Sequence, residues 1–377
     1  MIPFNKFPML GTEFRLIEQA LNSSKISGDG EFARQSEELI MRLLGSSRVL
    51  LTPSCTAALE MAAILLDLQP EDEVIVPSYT FVSTANAFAL MGAKIVFVDV
   101  NPLTMNIDPD SVAKAITEKT RAIVPVHYAG VACDMDSLMS IAERYGLVVI
   151  EDAAQAIGSF YKGKPLGSIG HMATFSFHET KNVTSGGEGG ALCINDSKHI
   201  ERAEIIREKG TNRNQFFRGQ VDKYSWVDIG SSYLPSEIQA AFLYGQLKGI
   251  DGINSKRVNI WRQYLDHLSS LFDGGVLEPP FIPDYASNNG HMFYVKCKDL
   301  QERSELIAFL KDNGIMAAFH YVPLHSSVQG RSCGRMEGED KYTTKESERL
   351  VRLPMYYSLS SEDVTYICDT IKSFFKI

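Results

Sequence analysis

From residue 48 onward, short apolar runs alternate with segments of helical period. RVLL (48–51) predicts a strand, TPSC a turn and TAALEMAAILLDL (56–68) a helix. DEVIVP (72–77) predicts the next strand, followed by a helical stretch through Leu90. Further strands are predicted over AKIVFVDV (93–100), RAIVPVHY (121–128) and LVVIED (147–152), with a helix over DMDSLMSIAERYG before the last. Apolar strands joined by helical crossovers make a mostly parallel sheet covered on both faces. MATFSF (172–177) and GGALCI (189–194) predict two more strands with no full helix between them.

The period changes near residue 230. Residues 236–272 read as one long helical connector. HMFYVKC, a helix from about Glu302 to Lys311, GIMAAFHY and a last helix from about Ser361 to Phe375 then predict a smaller α/β unit. At about 150 residues per domain, the 377-residue chain allows two to three domains. The expected division is 1–245 for a large unit and 246–377 for a small one. In open parallel sheets, ligands bind beyond the carboxyl ends of the strands. The turn Thr52–Thr56, Asp152 and the turn Ser176–Lys181 all fall at such ends.

Composition narrows the function classes. A hydrophobic content of 45% with 22% charged residues is that of a globular chain with a large core. The formal net charge of −9 argues against nucleic-acid and anionic-membrane partners, which need a basic surface. The six cysteines include no C-x-x-C pair, which predicts reduced thiols in a cytoplasmic protein. MIPFNKFPML lacks the pattern of a secretory signal, and no run of 18 apolar residues occurs.

Three groups carry candidate chemistry. The helix starting near Thr56 has unpaired N–H groups and a positive dipole end, and with the Ser54 and Thr56 hydroxyls it would cradle a phosphate. Simple N-capping by Ser54 or Thr56 would use the same residues. Asp152 is an acid at a strand end, placed either to hold a cation or to cap the helix after it. Lys181 follows an aromatic strand and precedes a glycine run. Burial there would favour a neutral amine able to attack a carbonyl, whereas an ordinary turn lysine would be solvated. Together the three match pyridoxal 5′-phosphate (PLP): Lys181 for the aldehyde, Asp152 for the ring nitrogen, the Thr56 helix for the phosphate. HYVPLH holds His320, Tyr321 and His325, but its spacing is not that of a zinc site.

The motifs IPFNKFPMLGTEF, EVIVPSYTFVSTANA, PVHYAG, IEDAAQAIGS, FSFHETKN, GGEGGAL, YLPSEIQAA and HYVPLH resemble the DegT/StrS nucleotide-sugar aminotransferases over almost the whole chain. The resemblance implies a fold-type I PLP enzyme, with Lys181 as the covalent lysine and proton shuttle and Asp152 at the pyridine nitrogen. It also implies Gln155 beside the ring oxygen, Phe81 stacked on the ring, and Thr56, Ala57 and Ser176 as phosphate ligands. Two departures stand out: Cys55 where the family often has glycine, and GSSYLP (230–235), which puts Ser232 where an asparagine commonly reaches the neighbouring subunit's phosphate. Arg213 and Arg218 are expected on a loop near a nucleotide diphosphate, His320 or Tyr321 near substrate, and His178 close enough to tune Lys181. The implied reaction moves the amino group of L-glutamate to the 4-keto carbon of dTDP-4-dehydro-6-deoxy-D-glucose, in enterobacterial common antigen synthesis, by a homodimer or a dimer of dimers. Another 3- or 4-keto nucleotide sugar, or a non-catalytic regulatory role, are the alternatives.

Overall fold

The structure is a computed structural model, and it describes residues 1–376. Twelve strands are present among these residues: β1 (Arg48–Thr52), β2 (Glu73–Pro77), β3 (Lys94–Val98), β4 (Thr120–Ile123), β5 (Val148–Asp152), β6 (Phe160–Tyr161), β7 (Lys164–Pro165), β8 (Met172–Ser176), β9 (Gly190–Ile194), β10 (Phe293–Lys296), β11 (Gly334–Met336) and β12 (Leu350–Leu353). Eight of them form one sheet in the order β1-β9-β8-β5-β4-β2-β3-β11. Only β9 runs against the rest, pairing antiparallel with both β1 and β8. The carboxyl ends of β1, β5 and β8 therefore meet at one edge.

Period-2 alternation sorts the strand residues onto two faces. Leu51, Ile75, Val96 and Phe175 enter one core, while Leu50, Val74, Phe97 and Met172 enter the other. Before the sheet come α1 (Glu13–Asn22) and α2 (Glu31–Leu44), where the sequence pattern predicted no element. The crossovers and flanking helices are α3 (Cys55–Leu65), α4 (Val82–Leu90), α5 (Pro109–Ala115), α6 (Met135–Tyr145) and α7 (Ile200–Arg207), followed by the short α8 (Arg213–Phe217). Residues of α2, α5 and α6 cover the first core, and residues of α3, α4 and α7 cover the second.

The helical connector is two helices, α9 (Glu237–Lys248) and α10 (Ile250–His267), which meet at Gly249. A Cβ at Gly249 would stand 2.4 Å from Leu10 Cδ1, so the junction sits tightly on the N-terminal segment. A capping box of Ser236 and Gln239 starts α9, which packs on α1 and α2. Helix α10 packs instead on the last helix, Ser361–Phe375, over a separate core that includes Trp261, Phe293 and Ile367.

Four predicted details change. The strand expected over 121–128 ends at Ile123, because Pro125 has no N–H to give; Val126 keeps only a single bridge, to Asp152. GIMAAFHY forms no strand: Ile315 bridges Ile2, and Ala318 pairs with Arg352. The partner of β10 is β12, a four-residue run closed by Pro354. Finally, β11 returns from the C-terminal region to the large sheet, so residues 246–377 do not stand wholly apart. Its Gly334 would place a Cβ 2.2 Å from the Ile95 carbonyl oxygen, and only glycine allows that approach.

Buried Glu237 ties α9 to the start of α2. Its carboxylate accepts N–H bonds from Gly30 (2.9 Å), Phe32 (2.8 Å) and Ala33 (3.1 Å). Those are orphan donors at a positive helix end, where an anion is favoured. Glu237→Ala strands them, and a loss of about 3 kcal/mol in urea unfolding is expected; a loss below about 0.5 kcal/mol would remove Glu237 from this role.

Candidate active site

The shared strand edge opens into a cavity of about 620 Å³. Thr56, Phe81, Asp152, Gln155, Ser176 and Lys181 line it, and so do His178, His320 and Tyr321. The covering residues come from the N-terminal segment (Phe4, Asn5) and from β12 and beyond (Arg352, Met355).

At the end of β5, Asp152 is buried and held from two sides. Thr84 Oγ1 donates to its Oδ2 at 2.7 Å, and the Ala154 N–H donates to its Oδ1 at 3.2 Å. Thr84 is itself bonded to Thr80 Oγ1 at 2.8 Å. Burial pushes the Asp152 carboxyl up, and the Thr84 bond, the Ala154 N–H and Lys181 oppose that shift. Among the described residues no cation pairs with it. A protonated ring nitrogen is the partner such a carboxylate lacks.

Lys181 follows the turn after β8, where its N–H donates to the His178 carbonyl at 2.9 Å. Burial lowers its pKa; Cys55 and Asp152 pull it back up, and Arg352 lowers it further. An amine in that state is neutral more often than a surface lysine's, as nucleophilic chemistry needs.

At the start of α3, Ser54 is the cap. Its Oγ accepts the Ala57 N–H at 3.1 Å, and its carbonyl accepts the Ala58 N–H. The Ala57 N–H, expected on a phosphate, is therefore already engaged, and Ala57 does not line the cavity. The N–H groups of Cys55 and Thr56 remain free for an anion, next to the Thr56 hydroxyl, which shares a 2.8 Å bond with Ser83. Cys55 introduces no strain, because it opens the helix without a positive φ. The turn is pressed against β9: a Cβ at Gly190 would meet Cys55 N at 2.5 Å.

Gln155 Oε1 accepts the Ala129 N–H at 2.7 Å, which turns Nε2 toward Tyr321 Oη at 3.2 Å. Phe81 is 56% exposed at the start of α4, so it is a free aromatic face at the cavity and not a core residue. His320 and Tyr321 stack with ring centroids 3.5 Å apart, and Tyr321 has a left-handed φ of 42°. His320 Nδ1 lies 2.8 Å from Tyr128 Oη, and burial, with Arg352 and Lys181, holds its imidazole neutral.

Other expected residues lie elsewhere in the single chain. Ser232 is exposed and bridges Glu208. Arg213 stacks over Phe217, and Arg218 pairs with Glu204 at 2.8 Å. His325 links Ser78 (2.6 Å) to Asp340 (3.2 Å). Arg352, Thr84 and Ser83 reach the cavity without having been singled out. Thr84 lies one helical turn after Thr80, a spacing visible in SYTFVSTANA; nothing local distinguishes Arg352 from a surface arginine.

The family model for the DegT/DnrJ/EryC1/StrS aminotransferases matches residues 10–372. The chain belongs to this family. It is 31% identical over 384 residues to the spore coat polysaccharide biosynthesis protein SpsC of Bacillus subtilis, covering 100% of this chain and 97% of that one. It is 34% identical to a pleiotropic regulatory protein of Geobacillus stearothermophilus, covering 96% and 94%. The PLP form of the putative sugar aminotransferase Spr1654 of Streptococcus pneumoniae superposes with a TM-score of 0.89 at 28% identity, covering 100% and 98%. The protein is thus a PLP-dependent sugar aminotransferase of fold-type I. The residues fit the cofactor: an unpaired buried carboxylate, free helix-start N–H groups, an amine of lowered pKa and an open aromatic face share one cavity.

Two measurements probe this geometry. The rate at which the apo protein takes up PLP should rise with pH and level off below the ordinary lysine value of 10.5, since lowering the pKa frees the amine earlier; a plateau at or above 10.5 would contradict the buried amine. Gly190→Ala should push the α3 turn off its position and weaken PLP retention by about tenfold on dialysis; unchanged retention would show that the turn does not hold the phosphate.

Proposed function

We propose that this aminotransferase moves the amino group of L-glutamate to the 4-keto carbon of dTDP-4-dehydro-6-deoxy-D-glucose. The products are dTDP-4-amino-4,6-dideoxy-D-galactose and 2-oxoglutarate, made in the cytoplasm for enterobacterial common antigen. The observation that carries the amino-transfer reading is Lys181, an amine of lowered pKa sharing a cavity with the uncompensated Asp152. The nucleotide sugar rests on the likeness of the sequence motifs.

Bound PLP supplies an aldehyde that holds the amino group and a ring that takes up the electron pair when a proton leaves the adjacent carbon. Lys181 Nζ takes that proton and returns it, a task suited to a base whose pKa is brought toward neutrality. Asp152 keeps the ring nitrogen protonated, and Thr84 keeps Asp152 oriented. The Cys55 and Thr56 N–H groups with the Ser176 hydroxyl would hold the phosphate, Phe81 would cover the ring face, and Gln155 Nε2 would orient the ring oxygen. The neutral His320 and the Tyr321 hydroxyl line the cavity and would face substrate. The unit before residue 245 holds the cofactor, and the later unit closes over it.

A second copy of the chain completes the site in this reading. The segment carrying Arg213 and Ser232 exposes Phe217 (68%), Trp226 (79%) and Ile229 (56%), apolar residues that stay largely open to solvent. A homodimer or a dimer of dimers would cover it and bring Ser232 and Arg213 to the neighbour's phosphates.

Incubation with glutamate and a panel of 3- and 4-keto nucleotide sugars, with the product read by NMR, should yield the 4-amino galacto sugar from the dTDP substrate; another product would reassign the substrate. Asp152→Asn should retain PLP but lose turnover by about 100-fold or more, and full activity would remove Asp152 from its role. Sedimentation should show at least a dimer; a fully active monomer would contradict the shared site.

A further inference from the structure

His291 presents an imidazole to the cavity, and its neighbours decide which ring nitrogen carries the proton. Asn182, the residue after Lys181, is buried, and both of its N–H donors are used. Its Nδ2 donates to Asn254 Oδ1 of α10 at 2.9 Å and to the Asn289 carbonyl at 2.8 Å. A backbone carbonyl can only accept, so the Asn182 amide cannot be turned over. Asn182 Oδ1 therefore faces His291 Nδ1 as an acceptor at 3.0 Å, and Nδ1 carries the hydrogen. Burial, with Lys181, Arg257 and Arg352, holds the ring neutral, which leaves Nε2 as a bare lone pair. Nε2 has no partner among the described residues and opens on the cavity that His291 lines. The backbone here is fixed as well. The His291 N–H donates to Asn289 Oδ1 at 3.0 Å, and its carbonyl accepts from Arg257 Nη2 at 2.7 Å. Gly290 has a left-handed φ of 63°, and a Cβ there would stand 2.6 Å from the Arg257 backbone.

We propose that His291 Nε2 accepts a hydrogen bond from the ε-ammonium of Lys181 whenever that lysine is free of the cofactor, with Asn182 as the positioning residue that keeps Nε2 unprotonated. The proposal rests on the amino-transfer reading above and gives the free amine its resting place. An ammonium has three N–H donors, and in a buried cavity they need acceptors. Asp152 is taken up by the ring nitrogen in that reading. A second carboxylate would hold the proton on Lys181 firmly, because an opposite charge favours the ammonium strongly. A neutral nitrogen instead keeps the group in place and still lets the proton go, as a proton shuttle requires. Chain connectivity supports the pairing, since His291 is anchored on the residue next to Lys181. Of the three cations that oppose protonation of His291, Lys181 acts most strongly. The same amide clamp ties the Lys181 turn to α10 and to the segment entering β10, so the amine and its acceptor are set by one network.

The test uses the full chain stripped of cofactor, with His291→Asn, His291→Gln and Asn182→Ala. His291→Asn keeps an N–H for Asn182 and has no atom at the place of Nε2, whereas His291→Gln sets an amide there. The amine of Lys181 is labelled with an acylating reagent over a range of pH, and the peptide that contains it is followed by mass spectrometry. A hydrogen bond accepted from the ammonium favours the charged form, so its loss lowers the pKa. In His291→Asn the midpoint of labelling should fall by about one pH unit, a tenfold change in acidity. His291→Gln should recover part of the shift. Asp152, Cys55 and Arg352, the other groups that act on Lys181, are the same in every variant. Nitrogen-15 NMR of labelled histidines should show His291 of the wild-type protein with its hydrogen on Nδ1, and Asn182→Ala should give a mixture of the two tautomers. With PLP restored, His291→Asn should lower kcat for the glutamate half-reaction by about tenfold and change KM by less than about threefold. Circular dichroism controls for folding. An unchanged labelling midpoint in a folded His291→Asn overturns the proposal, as does a hydrogen found on Nε2 in the wild-type protein. A rise confined to KM for the nucleotide sugar, with the midpoint unmoved, also overturns it and puts the imidazole on a sugar hydroxyl. If the midpoint shifts but the wild-type protein does not react with glutamate, the function reading fails and the pairing stands.

Discussion

Asp152 and Lys181 are both withdrawn from water, yet they do not pair with each other. Direct pairing would neutralise the site and keep the amine charged. Instead the carboxylate is held by Thr84 and the Ala154 N–H, and the amine is left with no fixed partner. Each group is therefore ready for a ligand, the acid for a cation and the amine for a carbonyl. Their separation depends on the sheet, because they extend from the ends of adjacent parallel strands, β5 and β8.

The rest of the cavity is built to the same logic of groups set in place with capacity left over. Ser54 satisfies one N–H of α3 and leaves those of Cys55 and Thr56 free. Gln155 spends its oxygen on Ala129 and turns its amide nitrogen inward. Phe81 keeps more than half of its surface open where a core phenylalanine would be covered. Buried polar groups without partners are unfavourable, and a bound cofactor and substrate would satisfy them. Backbone strain at Tyr321 belongs to the same edge, where stacking on His320 fixes an otherwise disfavoured conformation.

The covering wall comes from distant parts of the chain. Phe4 from the N-terminus meets Arg352 from β12, and His320 reaches back to Tyr79 and Tyr128 near the large sheet. The two cores are thus joined around the ligand cavity, with β11 as a further tie at the sheet edge.

The strands of the large sheet, its parallel sense and the placing of Lys181, Asp152 and the α3 turn at one edge were all legible in the sequence. Local periodicity and strand-end chemistry are sufficient for that, because each depends on neighbours in the chain. Gln155 and Phe81 came with the family resemblance. What the chain order could not reveal were contacts closed only by packing: the engagement of the Ala57 N–H by Ser54, the break at Gly249 against Leu10, and β11 at the far edge of the sheet. Arg352 is the plainest case. In VRLP it reads as an ordinary polar position on a short strand; only when β12 is laid beside β10 and the N-terminal segment folds across it does its guanidinium come to line the cavity that holds Lys181.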